Sequence, residues 1–250
     1  MSFKITVPEG WKQPQGDAAQ QYAMAFKDHE KVTEPGSPPL FLPATLNKLH
    51  TDTQKMMIAT YGKCIDDLCD AICAAWGQWQ AAATMTGVAI DGPFASGGQI
   101  VGPPLGPLIL AKASKSPFAS AVAQALDIAW QTFTASVKAA ALPWYPAFAL
   151  CPTPVAPPTP NVPMPFASLV QNPASLMAPA TKAQMVAHLS DPQAPYHKPL
   201  FESIAHAVEQ SYNVWKTSTM VTNVIGTGPA PPMGGPVSHG IGTMIAGGFT

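Results

Sequence analysis

Gly228-Pro229-Ala230-Pro231-Pro232-Met233-Gly234-Gly235-Pro236-Val237 and, far earlier in the chain, Gly92-Pro93-Phe94-Ala95-Ser96-Gly97-Gly98-Gln99-Ile100-Val101 share one plan. Each has Gly-Pro, a short spacer, Gly-Gly, and then Val or Ile in a strand-like run. Each also stands at one distance from a tryptophan: Pro93 follows Trp79 by fourteen residues, and Pro229 follows Trp215 by fourteen. A fixed offset of this kind marks an internal repeat, which governs the reading of every single element.

Working outward, a helical pattern precedes each segment. The first runs from Leu49 to about Thr84, with Met56, Met57, Tyr61, Cys64, Ile65, Leu68, Cys69, Ile72, Cys73 and Trp76 at helical spacing. A second spans about Pro117 to Ala140 and ends near Trp130; a third begins near Lys198 and ends near Trp215. After the second comes a looser Pro-rich run, Cys151 to Pro160, taken as the middle copy. The expected fold class is α+β: three quasi-repeated units of helix plus Gly/Pro-rich short strands or extended segments, pseudo-threefold, with helices outside and irregular strands inside. The expected boundaries are an extended N-terminal arm over 1–43 and repeats over 44–111, 112–183 and 184–250.

Charge follows the same division. Asp91 is the one charge between Asp70 and Lys112, and none occurs between Lys138 and Lys182 or after Lys216. The whole chain of 250 residues is only 11% charged, at net charge −1, so a partner or further copies are expected to cover surface that is ordinarily charged. All basic residues are Lys. Without the planar guanidinium fork, and without a basic patch, nucleic-acid readers and phosphoryl-transfer enzymes are disfavoured. Gly and Pro keep the uncharged stretches from being core helices, and their interleaved Val, Ile, Leu and Met fit short packed strands better than disorder.

Residues 71–90 and 92–111 are each long enough to span a bilayer and uncharged. The first holds Gln78, Gln80, Trp76 and Trp79; the second is broken by Pro93, Pro103, Pro104 and Pro107. Membrane association is therefore the lesser expectation. The N-terminus Met1-Ser2-Phe3-Lys4-Ile5-Thr6-Val7-Pro8 has no apolar h-region, so no secretory signal is expected, and synthesis is expected in the cytoplasm.

Several side-chain groups have the spacing of chemical sites. Asp66, Asp67 and Asp70 form the Asp-Asp-x-x-Asp string that holds magnesium-diphosphate in prenyl-transfer enzymes, with Asp66 and Asp70 on one helix face. No second acidic motif or basic clamp accompanies them, so a solvated face is the plainer reading. Cys69 and Cys73 also share a face, but no His completes a zinc site, and they read with Cys64 and Cys151 as packed thiols. His188, His197, His206 and His239 lack metal-pair spacing, and His206 reads as a partly buried core-flanking residue. Tyr61, Trp76 and Trp79 could stack on a ligand, but they read better as anchors for the following loop. There is no Gly-x-Ser-x-Gly elbow and no Walker lysine, and no catalytic residue is assigned.

The run from Val224 to Gly248 resembles one repeat of the PAAR-like family, through its Gly-Gly-Pro turn, the approach by Ser238 and Gly240, and a Thr243-Met244-Ile245 strand closing on Gly247-Gly248. The stretch around Gly97-Gly98 is a fainter echo. The family caps trimeric spikes of phage tails and contractile injection machines. The resemblance implies a structural or adaptor component, carried in a virion or secretion particle and docking a homotrimeric spike or baseplate protein. Three departures accompany it. No Pro-Ala-Ala-Arg tetrad is present, the helices are additional, and of the family's zinc ligands only His239 and Cys151 fall in comparable segments, so no zinc or other cofactor is expected. The expected docking residues are Gly92, Pro93, Gly97, Gly98, Gly228, Pro229, Gly234, Gly235 and Pro236. A membrane-associated or pore-forming effector, and a magnesium-dependent helical enzyme using Asp66, Asp67 and Asp70, stand as alternatives.

Overall fold

The computed structural model describes residues 43–191 and 197–250. The arm expected over 1–43 falls almost wholly outside the described residues, as do the side chains of Met57 and Tyr61.

Helix α1 (Pro43–Ala82) feeds directly into a hairpin of β1 (Thr84–Asp91) and β2 (Phe94–Val101). Two helices follow, the short α2 (Leu105–Leu110) and α3 (Pro117–Ser136), and then β3 (Ala139–Pro143) and β4 (Val155–Pro160). A two-residue strand β5 (Met164–Pro165), helices α4 (Ala178–Ala187) and α5 (His197–Ser218), and a two-residue β6 (Met220–Val221) lead to a last hairpin of β7 (Val224–Pro229) and β8 (Gly240–Met244). The chain is thus a mixture of helix and antiparallel sheet, as an α+β reading requires.

The long helices obey the sequence signals. Ser116 caps α3, its Oγ accepting from Ala119 N at 3.0 Å, with Pro117 in the first turn, where a missing N–H leaves no bond unmade. One stripe of α3 is buried: Ala119, Val122, Ala123, Leu126, Trp130 and Phe133. α1 enters the core only from Leu68 onward among the described side chains, through Ala71, Ile72, Ala75 and Trp79; Met56, read as part of that stripe, is exposed.

Some boundaries differ from expectation. Thr84 opens β1 instead of ending α1, and α3 stops at Ser136 because Val137 is extended (φ −78°, ψ 128°). Two helices lie inside segments read as extended, Leu105–Leu110 and Ala178–Ala187. In both, the proline (Pro107, Pro179) sits in the first turn, where helices tolerate it. Nor do the helices wrap the strands. They pack mainly on one another in a half of their own.

The six main strands form one antiparallel sheet in the order β3-β2-β1-β8-β7-β4. Its two ends approach each other where Val162 N donates to Pro143 O at 2.9 Å and Trp144 Nε1 donates to Thr159 O at 3.1 Å. Met85, Val88, Ile90, Ala95, Ile100, Leu142, Trp144, Val224 and Met244 are buried. At the seam between helices and strands the three helix-end tryptophans meet: Trp79 lies 4.6 Å from Trp130 and 6.3 Å from Trp215, and Trp130 lies 6.0 Å from Trp215. Edge-to-face rings at such distances add to simple burial.

Candidate functional site: an uncharged strand half with its turns gathered at one end

Because each strand pair begins and ends beside the helices, the connections β1–β2, β3–β4 and β7–β8 all lie at the far end of the sheet. Main-chain bonds tie them together there. Gly92 N donates to Val237 O (2.7 Å), Trp144 N to Pro93 O (2.7 Å), and Val237 N to Phe148 O (2.9 Å). Cys151 and Gly235 exchange two bonds (2.8 and 3.1 Å), and Ala230 N donates to Pro154 O (2.8 Å). Loops rich in proline offer few N–H groups, and these few are spent holding one loop to the next.

Seven of the nine expected docking residues come together here: Gly92 and Pro93 in the first turn, and Gly228, Pro229, Gly234, Gly235 and Pro236 in the third. Gly234 takes a left-handed φ of +86°, which turns the loop back toward Cys151. A Cβ on Gly92 would lie 3.8 Å from Pro236 Cβ, so the first and third turns touch. Gly97 and Gly98 are elsewhere, in the middle of β2, with left-handed φ of +76° and +83°.

The surface of this end is largely apolar, with the exposed Asp91 standing directly before the first turn. Met233 is 99% exposed in the β7–β8 turn and Leu150 72% in the β3–β4 connection, where Tyr145 and, at the start of β4, Val155 are exposed as well. Among the strands of the described residues, Asp91 is the one charged residue. The charge gaps along the sequence have become a spatial division, with charge on the helices and almost none on the strands. Sequence reading missed what fills the interior. Gly226, Gly240 and Gly242 face Ile90, Val88 and Trp144, and a Cβ at Gly226 would lie 2.5 Å from Ile90 Cδ1. The alternation Gly226-x-Gly228 and Gly240-x-Gly242 was the available signal of a face with no room for side chains.

The other candidates disperse. Asp66 and Asp70 are exposed, while Asp67 accepts a hydrogen bond from Ser114 Oγ. Among the described residues no group of three or more His, Cys, Asp or Glu is placed to hold a metal ion. The four cysteines form no disulfide with one another. Burial, and then the neighbouring Cys73, push Cys69 up to about 12, and Cys151 is buried with its Sγ toward Thr153 O. His206 is exposed rather than partly buried, since it lies about 200° around α5 from Ile204. Trp76 and Trp79 are occupied with Trp130 and Trp215, and Trp79 is only 2% exposed. Among the described residues no helix is long and apolar enough to cross a membrane; residues 71–90 divide between α1 and β1.

Compared with protein-family models, with curated proteins and with solved structures, the chain matches none of them.

Proposed function

We propose that the chain is a non-catalytic structural or adaptor component that caps a threefold-symmetric protein partner, as in a phage tail or contractile injection machine. The observation that carries the reading is the order of strand pairing. Each of three long helices, α1, α3 and α5, precedes a pair of strands, and each pair is joined to the next by one antiparallel contact: β2 with β3, β4 with β7, and β8 with β1. Read as three quasi-equivalent units around one axis, this order lets a single chain offer a similar surface to each subunit of a homotrimer.

Two further features support it. The helix-end tryptophans, one per unit, converge on one cluster. The strand half carries almost no charge, so it can be buried against protein without desolvating ions. Docking is assigned to the gathered turns, through Gly92, Pro93, Gly228, Pro229, Gly234, Gly235 and Pro236, with Gly97 and Gly98 on the flank of β2. Pro229, Met233 and Pro236 are exposed in these turns, while the buried Gly92, Gly228 and Gly235 hold them together from within. The partner is a homotrimeric spike or baseplate component, and the chain works by assembly.

The test is quantitative peptide mass spectrometry of tail-like particles purified from the producing cells. Recovery of this chain at one copy for three copies of a spike protein is the expected result. Absence from particles, with enrichment in membranes, overturns the reading and favours a membrane-associated effector.

A further inference from the structure

Strand β2 is paired unequally on its two sides. β1 covers it from Phe94 to Val101, whereas β3 covers it only from Phe94 to Gly97. The cause is local. The consecutive left-handed residues Gly97 and Gly98 twist β2 away, and Ala139, the partner of Gly97, is the first residue of β3. Among the described residues, Gly98–Val101 therefore pair with no strand on that side.

This open edge borders a groove of about 220 Å³. Gln99, Ile100, Val101 and Gly102 form one wall. Gln131, Thr134 and Ala135, in the last turns of α3, form the other, and Trp79 and Trp130 line it between them. No lining residue is charged. A Cβ at Gly102 would stand 2.4 Å from Trp79 Nε1, so only glycine lets the main chain pack this closely on that buried indole. The Trp130 indole N–H is buried with no acceptor, in a residue only 2% exposed.

Together these features describe an occupant. An unpaired strand edge beside a helix takes an extended main chain by strand addition. The uncharged lining selects an uncharged segment, since a charge there would be desolvated without a partner. The exposed carboxamides of Gln99 and Gln131, which can both donate and accept, suit the peptide groups of such a segment. We propose that this groove receives an uncharged, extended peptide of a partner protein, which pairs with Gly98–Val101 and lies against Gln131, Thr134 and Ala135 of α3. The inference stands on the edge and the groove, independently of any threefold arrangement.

The test titrates the full-length protein with the peptide acetyl-Thr-Val-Thr-Val-Thr-Val-amide, and with the same peptide carrying proline in place of two valines, which cannot pair. The readouts are the Trp79 indole resonance and amide exchange at Gln99–Val101. The strand peptide is expected to give a saturable shift and to slow exchange about tenfold, and the proline peptide neither. Ala135→Leu, at an exposed position on the helix wall of the groove, is expected to weaken binding about tenfold with the fold intact. Equal responses to both peptides, or no saturable response, overturn the proposal. So does exchange at Gln99–Val101 that is already as slow as that of β1 in the free chain, which assigns the edge to a segment of this chain itself.

Discussion

A Cβ on Gly226 would stand 2.8 Å from Nε1 of Trp144, so the last hairpin carries only hydrogen where an indole from the β3–β4 connection fills the sheet interior. The same Cβ would meet Ile90 Cδ1 at 2.5 Å. Gly226→Ala is therefore expected to destabilise the fold by about 1–3 kcal/mol through overpacking. Ile90→Val removes the Cδ1 in question, so the double mutant should recover part of the loss, with a coupling above about 0.5 kcal/mol. Gly77 supplies the opposite sign. It lies in α1 with nothing within 4 Å of a Cβ, and Gly77→Ala should stabilise by about 0.5–1 kcal/mol. Urea unfolding of the four variants checks all three; additive losses at positions 90 and 226 would remove the interior account.

Gln80 joins three elements with one side chain. Its Oε1 accepts from Trp215 Nε1 at 3.2 Å and its Nε2 donates to Phe249 O at 2.8 Å. Phe249 in turn stacks on Trp79 at 6.1 Å and packs on Phe166 at 5.8 Å. Gln80→Leu leaves an indole N–H and a carbonyl without partners near the cluster, for an expected loss of about 2–4 kcal/mol. Phe249→Ala, which opens a cavity at the same place, should cost about 3–5 kcal/mol. Because the two changes loosen one packed cluster, the double mutant is expected to lose less than their sum, as measured by thermal or urea denaturation.

How far the sequence foretold this depends on the range of the interaction involved. The helices were legible because 3.6-residue periodicity and caps such as Ser116 act within a few residues. The tryptophan offset was legible too, and it foreshadowed the meeting of Trp79, Trp130 and Trp215. The helices Leu105–Leu110 and Ala178–Ala187 were missed because Pro107 and Pro179 read as breakers, although a first-turn proline breaks nothing. Strand order is set by pairings such as Val88 with Gly242, which lie far apart in the chain and leave no local trace. Of the candidate docking residues, seven were gathered at one end. Gly97 and Gly98 were not, since their shared Gly-Gly spelling serves a mid-strand twist instead of a turn.

Cys69 is expected to be chemically quiet. Burial raises its thiol to about 12, with Cys73, Asp66 and Asp70 adding in the same direction. An ordinary thiol near 8.5 has roughly a thousandfold larger thiolate fraction at pH 8, and the thiolate is the reactive form. Alkylation by iodoacetamide at pH 8, mapped by peptide mass spectrometry, should be at least a hundredfold slower at Cys69 in the native protein than in urea. Equal rates in the two states would show that α1 does not bury this face.

The contact between α4 and α5 carries a pH dependence whose sign is fixed by one ion pair. Lys182 Nζ lies 2.7 Å from Glu202 Oε2, and the hydrogen bond from Lys182, reinforced by its charge, lowers the Glu202 carboxyl below its ordinary 4.5. A carboxyl lowered in the folded state binds its proton more weakly than in the unfolded chain. Its stabilisation is therefore full above the ordinary value and is lost as pH falls through the lowered one. Lys182→Met removes the cause and keeps the stem. Its urea midpoint is expected to lie slightly below wild type at pH 7 and to converge on it as pH drops below 4.5. Both side chains are about a third or more exposed (34% and 43%), so the gap at pH 7 should also narrow in 1 M salt, where exposed pairs are screened. A gap that persists unchanged at low pH would mean that the lysine stabilises the contact through its methylene stem and not through its charge.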